Sequence, residues 1–172
     1  MKWMILALGN ALTACGASPP PANRPIATSV APRDVSFASY RTFAFGLADA
    51  PRRGYAVTPR SLAVQSRLRG IVQSALQERG LREAADASDI VVKLAAGSGS
   101  APNPAPERGM APATGFIGIN IYDGASGTQV WQGSAFAEID PNEIDDTLLQ
   151  LGVDHMLEGF ASRGGRGVAE PH

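Results

Sequence analysis

The sequence predicts an α+β domain, with a small mixed or antiparallel β-sheet of about four to six strands and two α-helices packed on one of its faces. Three observations predict it. Residues 114–137 read as two strand-like runs around a Gly-rich turn. Residues 58–80 and 140–165 each open on a capping signal, carry apolar residues at helical spacing and end at glycine. Strand-like residues in 37–45 and 90–95 flank the first of these helices.

In the hairpin, Ile117, Ile119 and Ile121 alternate with Gly118, Asn120 and Tyr122. Successive strand residues point to opposite faces, so the isoleucines form one apolar stripe. Asp123, Gly124, Ser126 and Gly127 supply turn chemistry. The chain returns through Val130, Trp131, Gly133 and Phe136, which makes the pairing antiparallel. Gly133 marks either a bulge or a close backbone approach. A bulge would flip the register, so the pattern leaves open whether Trp131, or Val130 and Phe136, face the core.

Upstream, residues 37–45 begin as a turn and continue as a strand with Phe43 and Phe45 on one face. Residues 46–57 are loop, broken by Pro51 and Gly54. Thr58 is an N-cap with Pro59 at the first helical position. Leu68, Ile71, Val72, Ala75 and Leu76 form the apolar face, with Leu62 and Gln65 on a similar line. Gly80 takes the left-handed terminal position and Leu81 folds back. Strand, helix and strand in that order imply a right-handed crossover if the two strands are parallel neighbours. Residues 96–113 are rich in Gly and Pro, without periodicity, and read as a long flexible loop. Asp140 as N-cap, Pro141 at N1 and Glu143 at N3 open the second helix. Its apolar face is Ile144, Leu148, Leu151, Met156, Leu157 and Phe160, and Gly164 and Gly165 end it. Residues 34–163 are thus the folded domain and residues 164–172 a frayed tail.

The N-terminus reads differently. Lys2 precedes an apolar run, residues 3–8, shorter than the ~20 residues that span a bilayer. It fits a secretory signal peptide over residues 1–14. Leu12-Thr13-Ala14-Cys15 resembles the lipobox of bacterial lipoproteins. That resemblance implies cleavage before Cys15, a diacylglycerol on its thiol and an acyl group on its amine. Gly16, in place of an aspartate, resembles the pattern exported to the outer membrane in enteric-type bacteria. Cys15 is then the lipidation site, and the protein is held at the outer membrane facing the periplasm. Pro19, Pro20, Pro21, Pro25 and Pro32 mark residues 15–33 as a tether, part of which, residues 26–30, can add an edge strand.

Charge and composition narrow the function classes. A formal net charge of −1 argues against broad nucleic-acid affinity. One cysteine excludes an internal disulfide and a Cys-rich zinc site. Residues 33–82 hold nine arginines and three acids, whereas residues 116–162 hold eight acids and no Lys or Arg. This is either a basic patch for lipid phosphates or an acidic partner, or two helices that complement each other, or two solvated faces. The histidines are His155 and His172, with no recognisable nucleophile context around Ser126 or Ser134. Asp140, Glu143, Asp145 and Asp146 cluster where a helix dipole already favours acids. Asp123-Gly124-Ala125 lacks the ligands of a calcium loop. Trp131 and Tyr122 can stack on a glycan, although packing explains them as well. No catalytic residue, metal site or cofactor is expected.

Three further segments act together. Phe37-Ala38-Ser39-Tyr40-Arg41-Thr42-Phe43-Ala44-Phe45 is one. Leu76-Gln77-Glu78-Arg79-Gly80-Leu81 with Asp89-Ile90-Val91-Val92 is the second. Ile119-Asn120-Ile121-Tyr122-Asp123 with Val130-Trp131-Gln132-Gly133 is the third. In order and spacing, residues 35–161 resemble the lipoprotein family called domain of unknown function 4136. The resemblance implies an envelope lipoprotein with a small α/β domain and supplies no catalytic residues. The chain departs from it in the longer Pro/Gly loop at 96–113.

The expected function is a non-catalytic binding or scaffold module, anchored to the membrane through Cys15, with an envelope protein or glycan as partner and no nucleic acid. Phe116 and Tyr122, on the face away from the helices, are candidate contacts. A hydrolase acting on an envelope polymer or lipid is the alternative. A small-ligand carrier with a pocket between helices and sheet is a third reading.

Overall fold

The computed structural model describes residues 24–32, 35–100, 113–139 and 143–160. The strands are β1 (Ile26–Val30), β2 (Thr42–Phe45), β3 (Arg82–Glu83), β4 (Ile90–Ser100), β5 (Ala113–Asp123) and β6 (Gln129–Glu138). The helices are α1 (Pro59–Glu78) and α2 (Asp146–Met156), and a single 3₁₀ turn spans Phe37–Ser39. The strands form one sheet in the order β1-β6-β5-β4-β2-β3. Strands β4, β5, β6 and β1 are antiparallel neighbours, whereas β2 runs parallel to both β3 and β4. The fold is the expected α+β arrangement, a mixed open sheet with two helices, and α1 makes the crossover between the parallel strands β2 and β4.

Asp89 fixes the start of that parallel pair. Its carboxylate accepts from the backbone N–H groups of Arg41 (2.7 Å) and Thr42 (2.9 Å). Its own N–H donates to the Thr42 hydroxyl at 2.9 Å. These bonds to the charged form, led by that from Arg41, hold the carboxyl below its ordinary range.

Helix α1 begins where expected. Ser61 N–H donates to the Thr58 hydroxyl, and Thr58 N–H donates to Ser61 Oγ, a reciprocal capping box. Leu68, Val72, Ala75 and Leu76 are buried, and Gln65 reaches the sheet through the Leu94 carbonyl. Leu62 departs from the expected apolar line and is exposed. Gly80 takes φ +87°, which lets Leu81 fold back and bond Leu76 O at 3.1 Å.

The hairpin question resolves through a bulge at a different place from Gly133. Ile121 pairs with Trp131 and Tyr122 with Gln129, leaving Val130 as the extra residue. Trp131 therefore faces α2 and donates its indole N–H to the Met156 carbonyl at 2.9 Å, while Val130 is buried as well. Phe37 and Phe160 close over Trp131, with ring centroids 5.5 Å from it. Gly133 is a close approach: a Cβ there would lie 2.8 Å from Met156 Cβ. Phe136 pairs with Phe116 on the opposite face.

Several boundaries move. Strand β4 runs through residues 96–100, expected as loop, because the segment at 46–57 crosses this end of the sheet and bonds Ala56 to Ser98 in both directions. Glycine is required there: a Cβ at Gly97 would meet Pro51 at 2.8 Å, and one at Gly99 would meet the Gly54 carbonyl at 2.6 Å. Residues 26–30, within the expected tether, pair with β6. Helix α2 begins later than expected, with Asp145 as N-cap accepting from Leu148 N–H at 3.0 Å. Glu143 precedes the helix, and Asp140 and Pro141 lie outside the described residues. The helix ends at Met156, and Gly159, at φ +82°, takes the terminal left-handed position in place of Gly164 or Gly165, which also lie outside.

Three stability measurements check this account. Gly133→Ala forces Met156 away and should cost about 1–3 kcal/mol in urea unfolding. Gly70→Ala, in open space on α1, should instead stabilise by about 0.5–1 kcal/mol. The Asp89 pKa is lowered on folding, so its contribution is present above the unfolded value of ~3.9 and fades as pH falls through the folded one. Asp89→Ala should therefore cost about 1–2 kcal/mol near neutral pH and progressively less in acid unfolding series below about pH 4.

Candidate functional site

The two helices begin at the same end of the sheet. There β4 ends, β5 starts and β6 ends, and on the helix side the residues shrink to Ala96, Ser98, Gly115, Ala135 and Ala137. Small residues beneath two helix N-termini leave a cleft of ≈ 270 Å³. Val64 of α1 and Ile144, Leu148 and Leu149 of the α2 region form its walls, with Ile117 and Ala135 on its floor. The volume is at the lower edge of that of small-molecule pockets, and an apolar lining with few polar groups fits an apolar chain or ring.

The rim is charged and mostly acidic. Among the described residues lining the cleft, Arg60 is the one cation, beside Glu138, Glu143 and Asp145. The Arg60 guanidinium donates to the Glu143 carbonyl. The Asp145 carboxylate caps α2. Pro25, at the first described residues of the chain, also lines the opening.

An ion pair joins the arginine-rich and the acidic segments at the junction of the helices. Arg67 forks onto both oxygens of Asp146, at 2.8 and 2.9 Å. Arg69 lies over the Phe45 ring at 4.1 Å and bonds Glu83 at 3.3 Å. The arginine-rich first half and the acidic second half thus meet across α1 and α2.

The face away from the helices is partly roofed. Tyr55 stacks against Phe116 and Phe136, with centroids at 5.4 and 5.8 Å, so Phe116 is only 7 % exposed. Asp49 accepts from Asn120 at 2.7 Å and from the Tyr122 hydroxyl at 3.4 Å. Burial, with Asp49 nearby, pushes the Tyr122 phenol up from its ordinary pKa. Phe116 and Tyr122, expected as partner contacts, are occupied by residues 46–57 instead, and Trp131 is core.

The remaining candidates scatter. Asp123 accepts from the N–H and hydroxyl of Ser126, which lower its pKa, and from the Tyr40 hydroxyl at 3.2 Å. Both residues therefore serve the turn. His155 is exposed on α2. Among the described residues no three His, Cys, Asp or Glu side chains converge as metal ligands, and no helix is long and apolar enough to cross a membrane. Cys15 and His172 lie outside the described residues. The cleft itself has a faint signature in the sequence: small residues at alternate positions where the other strands carry Ile, Val or Trp.

A mixed sheet backed by two helices, with an apolar cleft where the helices begin, defines a small α+β domain. The chain belongs to the family described as domain of unknown function (DUF4136), which matches residues 27–160. A search among curated proteins finds no match. Among solved structures it is similar to a PDZ domain protein from Parabacteroides distasonis, at 14 % identity and TM-score 0.58 over 80 % of this chain. This chain spans 36 % of that one. It is also similar to PelC from Paraburkholderia phytofirmans, solved as a dodecamer, at 12 % identity and TM-score 0.52 over 81 % of this chain and 98 % of PelC. A second crystal form of PelC gives TM-score 0.51 at 12 % identity, over 81 % of this chain and 99 % of that one. These likenesses show the fold.

The Arg67–Asp146 pair is half-exposed on both sides. A double-mutant cycle with Ala at both positions should return a coupling of about 0.2–1 kcal/mol, shrinking as salt is raised.

Proposed function

We propose that this protein is a lipoprotein of the bacterial cell envelope, held through Cys15 at the outer membrane facing the periplasm. Its domain is a non-catalytic binding module, and the cleft between the helix starts and the sheet is where it binds. The cleft carries this reading: it is apolar, open and built from side chains too small to fill it. The anchor rests on Lys2, the short apolar run and Leu12-Thr13-Ala14-Cys15. The non-catalytic assignment is supported at Asp89, Asp123 and Asp145, whose carboxylates are each taken up by backbone donors. Hydrolysis would instead need a free acid pair or a nucleophile beside a base.

The full-length protein should sediment with membranes when expressed in a bacterial host, and Cys15→Ser should move it to the soluble fraction. That soluble variant should bind the neutral apolar dye Nile red, and Leu148→Trp, which fills the cleft from one wall, should weaken binding at least tenfold. Membrane retention of Cys15→Ser would overturn the anchor. Dye binding untouched by Leu148→Trp in a folded variant would overturn the cleft, and turnover of a chromogenic ester would revive the hydrolase.

Self-assembly is a second reading. Strand β1 forms one edge of the sheet, with Ile26 72 % and Val30 67 % exposed, and PelC, of similar fold, is a dodecamer. Light scattering of the Cys15→Ser protein separates a single chain from a ring.

A further inference from the structure

We propose that the cleft is occupied by one acyl chain carried on Cys15 of the same molecule. The inference rests on the lipoprotein reading above and names the resident of its binding site.

Chain length is the first argument. The described residues begin at Arg24, and Pro25 already lines the cleft opening. Nine residues, 16–24, separate it from Cys15. At about 3.3–3.6 Å per extended residue they reach about 30 Å, so Cys15 stays within one short segment of the opening. Tethering over such a length holds an attached group at an effective concentration in the millimolar range, far above that of a free monomeric lipid in water.

The chemistry of the rim is the second. A membrane phospholipid entering tail-first would bring its phosphate to the opening. The described rim sets the carboxylates of Glu143 and Asp145 near that phosphate, with Arg60 donating to the Glu143 carbonyl. Like charges repel. An acyl chain on Cys15 is joined through an amide or a glyceryl ester and thioether, so it brings no phosphate. The floor and walls, Val64, Ile117, Ala135, Ile144, Leu148 and Leu149, meet methylenes alone. Each methylene removed from water contributes about 0.8 kcal/mol.

Anchoring is the third. A lipoprotein cysteine bearing a diacylglyceryl group and an N-acyl group carries a chain more than stable attachment needs, since two suffice. One chain in the cleft leaves two in the bilayer and draws the helix-start end of the domain toward the membrane.

The test grows the expressing bacteria on a diazirine-bearing palmitate, irradiates intact membranes and maps cross-linked peptides of the full-length protein by mass spectrometry. The expected result is a cross-link from the Cys15 peptide to peptides carrying Val64, Ile144 or Leu148, reduced at least tenfold in Leu148→Trp with acylation of Cys15 unchanged. Acylated Cys15 with no cross-link to cleft peptides overturns this inference and leaves the lipoprotein reading standing. Cleft peptides carrying a phospholipid mass also overturn it, in favour of a membrane source. Cys15 recovered without lipid removes the lipoprotein reading itself. Nile red supplies a second readout: acylated protein in lipid nanodiscs should bind it at least tenfold more weakly than soluble Cys15→Ser, and equal binding would contradict self-occupancy.

Discussion

The structure depends on how closely two layers can approach one sheet. On the helix side, Met156 sits against the bare Cα of Gly133, and its carbonyl takes the Trp131 indole N–H. On the other side, Pro51 and Tyr55 lie against Gly97, and the Gly54 carbonyl against Gly99. Each contact exists because a side chain is missing from a strand. The same strands carry Ile90, Val92, Ile119 and Ile121, all fully buried toward the helices. Burial of each such side chain contributes about 1.5–3 kcal/mol. Glycine on a strand weakens it in isolation, so its placement here is dictated by what crosses above and below.

Charge follows from the same packing. The helices lie side by side, so Arg60 and Arg67 of α1 meet the residues that precede and open α2. Arg67 with Asp146, and Arg60 with the Glu143 carbonyl, join the two where both helices begin. The acids also sit where the α2 dipole favours them. Two oppositely biased segments are thus joined by an ion pair and a bond to a backbone carbonyl where the helices begin.

Much of the fold was legible because local chemistry and tertiary packing agree. Thr58, Pro59 and Gly80 delimit α1 as their backbone preferences demand, and the alternating isoleucines of β5 face the core. The reading fell short where tertiary contacts decide. Gly97 and Gly99 look like loop residues until residues 46–57 are seen to cross them. Asp140 and Asp145 are equally good caps in sequence, and only Asp145 is met by the Leu148 N–H. Phe116 reads as an exposed contact because nothing local announces Tyr55 above it. The bulge at Val130 has no residue signature, since neither glycine nor a turn former stands there. The cleft was harder still, because a void is defined by what side chains fail to reach.

That void bears on what the sequence was selected for. At the β2 end the space between helices and sheet is filled by Phe43, Leu68, Val72 and Leu76, all fully buried. At the other end the same layers enclose Ala96, Ala135 and Ala137 on either side of Ile117, and a cleft remains beneath the helix starts. Unfilled volume in an apolar interior costs about 24 cal/mol per Å³, so replacing one of these alanines by a larger aliphatic residue is a simple route to a more stable domain. Proteins rarely sit at their stability optimum, and the usual exceptions to good packing are sites that must admit something. Neither flexibility nor turn geometry calls for small residues at Ala96 and Ala135, which lie in regular antiparallel ladders. Close packing accounts for part of their placement, since α2 brings Gly152 against Ile117 and Ala135; the remaining space between helix starts and sheet is the cleft.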